Sequence, residues 1–409
     1  MMCGGWYSAT ADAAVVPPGE VKGCLSRATS LYLLASITVS YLASSSAPTP
    51  LYPVYQAEWG FSPISITFVF GIYAIAVLGA LLVAGRLSDY VGRRPVLIVA
   101  TAIQAPTMFL FAFADGLSDL IAARVIQGLA TGAAIAAVGA GMLDMDKARG
   151  AVANSVAPAG GTALGGILAG LMVHYLPAPT HFVYFVLAAI FVAQVVGVLF
   201  IPELIPPRAG AMASLQPRFS LPAATRQPIL IAAPVLIAVW ALAGFYGSLG
   251  PSLVRTGFGL DASLSGGIAL FVLAGSGGIS VLLTQRLSAR TLMLYGPSVL
   301  LAGVGLVLVS LSYHSATAFF LGIALSGSGF GTGFQGAIRT VVPLAAPQER
   351  GGVLSVIFVV SYLAMGLPAV IAGYLVVRSG DLFLTAREFG AVVMVLAAVA
   401  LIGTLRRSS

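Results

Sequence analysis

Apolar runs follow one another along this chain with short polar breaks between them. They fall at 30–56, 64–84, 95–114, 118–142, 150–174, 182–201, 229–254, 262–284, 292–312, 316–338, 352–377 and 384–405. Each is close to the ~20 residues a helix needs to cross a ~30 Å hydrocarbon core. The runs are apolar on every face and do not alternate with polar positions, so they predict membrane helices, not the strands of a closed barrel. The one long polar break in the interior, 202–228, contains Pro202, Pro206, Pro207, Pro217, Pro222 and Pro228 and divides the twelve runs into six and six. The predicted organisation is a tail (1–28), a first six-helix half (29–201), a linker (202–228) and a second half (229–405). The tail lacks the basic start and apolar core of a signal peptide and is read as disordered.

Composition supports the pattern. Only 8% of residues are charged and 59% are hydrophobic, whereas a soluble domain carries about 25% charged residues. Lipid must therefore solvate most of the outer surface. The net charge of +7 would raise nucleic acid as a partner in a soluble protein; here the question is which side of a membrane carries the excess. With the N-terminus inside, every basic residue but four falls in an inner segment. Arg255, Arg378 and Arg387 lie outside, and Arg124 lies within the fourth run. The positive-inside rule then places both termini in the cytoplasm, with the protein in the cell (inner) membrane and no nucleic acid as partner. Cys3 and Cys24 are both in the tail, and His174, His181 and His314 fall in outer loops. No metal-ligand spacing and no nucleophile–base arrangement is present, so neither an enzyme nor a cofactor is expected.

The halves resemble each other. "LLVAGRLSDY" (81–90) aligns with "VLLTQRLSAR" (281–290), and "ARGAVANSV" (148–156) aligns with "ERGGVLSVI" (349–357). The offset is nearly the same in both cases. A duplicated unit with an even number of passes repeats in the same orientation, about an axis along the membrane normal.

In a chain so poor in charge, "GRLSDYVGRRP" (85–95) places Arg86, Asp89, Arg93 and Arg94 between the second and third runs. Gly85, Leu87, Ser88, Asp89, Gly92, Arg93 and Arg94 resemble the signature loop of the major facilitator superfamily, with Tyr90 where that loop is usually basic. The resemblance extends over about 30–405. It implies an all-α membrane protein with twelve transmembrane helices in two parallel six-helix halves, working by alternating access. Two readings of the loop remain open. Its charges anchor topology alone, or they also form a conformational switch between the halves. In the second reading Asp89 meets the start of the eleventh helix at Gly351 and Gly352. A carboxylate at a helix N-terminus gains up to about 2 kcal/mol when partly buried, and Gly85 and Gly92 would permit the close approach. Ala289 occupies the corresponding place in the second half, so such a latch is one-sided.

"ARVIQGLATG" (123–132) in the fourth run resembles the family's Arg-x-x-x-Gly element through Arg124, Gln127 and Gly128, and the resemblance implies a link to proton coupling. A lone Arg in a membrane helix either faces a cavity or partner, or snorkels to the interface. "GTALGGILAG" (161–170) offers Gly161/Gly165 and Gly166/Gly170 for close helix packing. It stands where drug–proton antiporters carry a Gly-Pro pair. "SSSAPTPLYPVYQAEWG" (44–60) breaks the first helix with prolines, as a cavity lining or as an outer cap. "GSGFGTGFQG" (327–336) follows no strand and is not a phosphate loop. In the family, helices one, four, seven and ten line the cavity. That implies Ser40, Tyr41, Ser44, Arg124, Gln127, Trp240, Phe245, Tyr246, Phe330, Phe334 and Gln335, a largely aromatic set suited to a bulky, partly apolar ligand.

The expected function is a secondary transporter, monomeric in the lipid bilayer, exporting amphipathic small molecules with protons as a candidate coupling ion. An uptake carrier or uniporter for a sugar, organic anion or other metabolite is the alternative, and a non-transporting receptor or scaffold is the alternative from another class.

Overall fold

A computed structural model describes residues 24–217, 219 and 221–406; most of the tail lies outside the described residues. Its helices are α1 (Arg27–Ser46), α2 (Pro48–Trp59), α3 (Pro63–Ala84), α4 (Ser88–Val91), α5 (Arg93–Ala112), α6 (Leu117–Met145), α7 (Lys147–Tyr175), α8 (Pro179–Val198), α9 (Ala211–Ser214), α10 (Ala223–Phe258), α11 (Ala262–Leu283), α12 (Ala289–Tyr313), α13 (Ala316–Val341), α14 (Arg350–Ser379) and α15 (Leu382–Arg406). Among the described residues eleven helices are long and apolar enough to cross a membrane. The twelfth pass is made by α1 and α2 together. Near its start α1 packs Leu34 on Gly141, close to the end of α6. At the other end, Tyr55 of α2 meets Tyr184, near the start of α8. One side of the bundle therefore carries the beginning of α1 and the end of α15, and is called here the terminal side.

Helix ends follow local chemistry. Ser62, Asp146, Asp261 and Ser288 each accept a backbone N–H from the first turn of α3, α7, α11 and α12 respectively, and so satisfy otherwise orphaned donors. The break between α1 and α2 also follows from residue type. Pro48 has no N–H to return to the Ser44 carbonyl four residues earlier, while Ala47 keeps helical dihedrals (φ −54°, ψ −38°). The run 30–56, whose prolines were expected to break the first helix, is therefore one pass with a broken hydrogen-bond ladder. α10 begins at Ala223, inside the expected linker, because Pro228 so near a helix start removes only one internal hydrogen bond.

The two halves bury separate cores. Ile37, Leu97, Met108, Phe111 and Phe191 belong to the first; Val235, Leu300, Phe319, Ile357 and Val393 belong to the second. They meet along two seams. In one, α3 packs on α14, with Gly71 against Gly366 and Thr67 against Gly373. In the other, α7 packs on α11, with Gly166 and Gly170 against Gly267. The second small-residue stripe of 161–170 is thus an inter-half contact. The first faces α1 within its own half, where a Cβ on Gly165 would lie 2.3 Å from the Ala43 carbonyl oxygen. Residues 327–336 lie inside α13, as a helix and not a loop.

Candidate functional site

A cavity of about 490 Å³ lies between the halves. It reaches Val281 and Arg339, each two residues from the terminal-side end of its helix. Toward the opposite side it stops at Thr49, Phe70, Gly247 and Leu270, well short of the helix ends. Beyond it the halves are in contact through Gly170 and Ser263, and through Thr67 and Gly373. Thr49 donates a buried hydrogen bond of 2.7 Å to the Gly247 carbonyl in the other half. That carbonyl is available because residue 251, which would normally donate to it, is a proline inside α10.

Arg124 is fully buried one layer behind the cavity wall. Its guanidinium donates to the Ser45 carbonyl (2.9 Å), the Gln127 side-chain oxygen (2.8 Å) and the Tyr52 hydroxyl (2.6 Å). Gln127 in turn donates to the Ser44 carbonyl at 3.0 Å, the one orphaned by Pro48. Arg124 and Gln127 thus cap the broken end of α1, where a helix concentrates about half a negative charge. The rings of Tyr73, Phe111 and Tyr52 lie 5.1, 5.7 and 5.9 Å from the guanidinium carbon. Burying a cation costs several kcal/mol. Three charge-assisted hydrogen bonds at roughly 1.5–3 kcal/mol each offset that cost, so the charge is held without a carboxylate. Arg124 does not snorkel. Its Nε has no hydrogen-bond partner.

Of the eleven residues expected at the cavity, Trp240, Phe330, Phe334 and Gln335 line it. The indole of Trp240 makes edge contacts with Phe330 and Phe334, each at 5.5 Å, and lies 5.6 Å from Tyr362. The expectation is corrected for the other seven. Arg124 and Gln127 stand behind the wall. Ser44 accepts from Gln104 (3.2 Å) and Ser40 accepts from Gln194 (2.9 Å), both inside the first half. Tyr41 is fully buried on Phe191, and its hydroxyl donates to Thr101 at 3.4 Å. Phe245 packs on Phe389 and Tyr246 on Phe319, in the second core. A helix that borders a cavity shows it one face only, and the other faces must bury their polar groups against neighbours. The sequence reading missed Tyr73, Asn154 and Tyr362 on α3, α7 and α14. Asn154, the single asparagine of the chain, set in an apolar run, was the available signal.

At the terminal side, the 85–95 loop is held by its own half and by the linker that follows it. Asp89 pairs with Arg93, which also reaches Asp144 at 3.0 Å and Ser88 at 2.7 Å. Arg86 approaches the Tyr90 hydroxyl at 3.4 Å. The Arg94 guanidinium donates to the Leu199 carbonyl, and its backbone N–H donates to Glu203 at 2.8 Å. Gly92 sits at φ +97°, where a Cβ would lie 2.5 Å from the Glu203 carboxylate. Gly85 ends α3. In this conformation Asp89 makes no hydrogen bond to the first turn of α14. The contact expected there is absent while the cavity extends to this side.

Twelve membrane passes in two halves about a central cavity define a membrane transporter. The sequence profile of the Major Facilitator Superfamily matches residues 34–369, and the chain belongs to that family. The cephamycin export protein CmcT of Amycolatopsis lactamdurans is 31% identical over 165 residues, 39% of this chain and 34% of that protein. The chain thus matches about a third of that relative's length. Two solved structures share the fold. One is the nucleoside transporter NupG (TM-score 0.67, 14% identity, 93% of this chain and 98% of that one). The other is a bacterial homolog of the human lysosomal transporter Spinster, inward-facing and occupied (TM-score 0.73, 12% identity, 93% of this chain and 97% of that one).

Proposed function

We propose that this transporter exports amphipathic small molecules across the cell membrane by alternating access. One observation carries the reading: an inter-half cavity walled by Trp240, Phe330, Phe334, Tyr362 and Tyr73, with few polar groups among them. Such walls suit bulky, partly apolar ligands. The similarity to a named export protein supports the direction. The distribution of basic residues supports cytoplasmic termini, so the cavity faces the cytoplasm, where an exporter loads. Turnover then breaks the Thr49–Gly247 contact and closes the terminal side, with Asp89 engaging the start of α14 as the latch. Protons are the proposed coupling ion, and a monomer is the proposed unit.

Everted membrane vesicles test this. A fluorescent amphipathic substrate should accumulate inside vesicles that contain the protein, and an uncoupler should abolish the accumulation. Accumulation in intact cells instead would identify an uptake carrier. No movement of any compound in either direction, in membranes shown to contain the protein, would leave a receptor or scaffold.

A further inference from the structure

The cavity wall has an unusual charge balance. Arg339 is its one charged side chain, and no Asp or Glu lines it. Arg124 lies directly behind the deep end. It is hydrogen-bonded to the Ser45 carbonyl and set 5.1 Å from the ring of Tyr73, and both of those residues belong to the wall. Among the described residues no carboxylate pairs with it. The wall hydroxyls of Ser45, Ser46, Thr49, Ser155 and Thr162 already donate to backbone carbonyls and can only accept from a ligand, so the two arginines alone set the cavity's charge preference. The Trp240 indole N–H has no partner, but it is buried and does not open onto the cavity. Thr284 gives its one hydroxyl proton to the Ser280 carbonyl (2.6 Å) and lies 3.4 Å from the Gln335 side chain, so the Gln335 amide can turn an N–H or its oxygen to the cavity.

From this we infer that the cavity takes an aromatic molecule carrying a carboxylate, and discriminates against lipophilic cations. The inference rests on the cavity being the transport site. The ring system lies against Trp240, Phe330 and Phe334, and the carboxylate points to the deep end, by Ser45 and Tyr73. The deep end wins over the mouth for two reasons. Arg339 already donates to the Gln285 and Leu287 carbonyls (2.9 and 3.2 Å) and stands where water screens it. Arg124 acts through low-dielectric protein, where a charge reaches further, and its helix-end partners carry only partial negative charge. A cationic ligand would meet both arginines with no counter-charge.

The test is equilibrium binding to the full chain in lipid nanodiscs, read by quenching of Trp fluorescence. Three probes share one ring: naphthylacetate, its methyl ester and naphthylmethyl-trimethylammonium. The carboxylate should bind about tenfold or more tightly than the ammonium, with the ester between them, as expected for a like-charge penalty. Arg124→Lys should keep that order and Arg124→Met should collapse it. The wild-type order decides the matter even where Arg124→Met folds poorly. Equal or tighter binding of the ammonium overturns the inference, and its accumulation in everted vesicles would leave the export reading intact. If no probe binds while other compounds still accumulate, this inference falls with the cavity assignment. If nothing binds and nothing moves, the transport reading falls as well.

Discussion

Both halves interrupt the first of their six helices with proline, and the freed carbonyls are answered in different ways. In the first half Pro48 orphans the Ser44 carbonyl, and Gln127 and Arg124, from the fourth helix of that same half, cap the broken end. In the second half Pro251 orphans the Gly247 carbonyl, and Thr49 from the opposite half answers it. Two hundred residues on from Arg124 stands Ala324, so the second half has no equivalent cap. A backbone defect satisfied within one rigid body holds that body's shape through any rocking motion. The same defect satisfied across the seam makes a contact that must break when the far side opens. The cavity walls differ in the same sense: a buried cation backs the first half's wall, and Trp240 and its aromatic neighbours face the cavity from the second.

Removing the first-half cap should have the largest effect. Arg124→Met strips the Ser45 carbonyl, Gln127 and Tyr52 of their donor, a loss of about 2–4 kcal/mol. The purified protein's thermal midpoint should fall by several degrees, and Arg124→Lys should recover part of the loss. An unchanged midpoint would sink the capping account. Trp240→Leu attacks the other wall. It should weaken binding of an aromatic substrate by about 1–2 kcal/mol, or roughly tenfold, while the midpoint barely moves. Equal losses of binding and stability would make Trp240 part of the core and not of the site. The smallest effects should come from the two gates. Thr49→Val keeps the shape and removes one hydrogen bond, worth about 1 kcal/mol. Spin labels on the far side should show its open population growing several-fold. Asp89→Asn should preserve expression and slow transport by a similar factor, through the terminal-side latch. Matched wild-type turnover in Asp89→Asn would reduce that loop to a topology anchor.

The number of passes, the grouping into halves and the role of 85–95 as an inter-helix loop were legible because each rests on local chemistry. Twenty apolar residues must lie in lipid, and charged residues must lie outside it. Four wall residues, Trp240, Phe330, Phe334 and Gln335, were expected only because the family resemblance pointed to the seventh and tenth helices, of which they are large or polar side chains. Tyr41, Ser44, Phe245 and Tyr246 had the same credentials and turned inward, into the cores of their own halves. In a helix apolar all round, nothing in the residue pattern marks which face meets a cavity.

The sequence by itself determined that this protein is a twelve-pass membrane bundle with a proline-broken first helix and one arginine within its fourth run, because polypeptide in lipid must satisfy its hydrogen bonds and keep most charges outside. It did not disclose that the prolines of 44–60 and Arg124 are one feature. That depended on two segments about eighty residues apart meeting with the Arg124 side chain at the carbonyl of Ser45, 2.9 Å away. Only tertiary structure decides such meetings, because the rotation of each helix is set by the packing of all its neighbours at once, through glycine contacts such as Gly165 on Ala43, and not by its own residues.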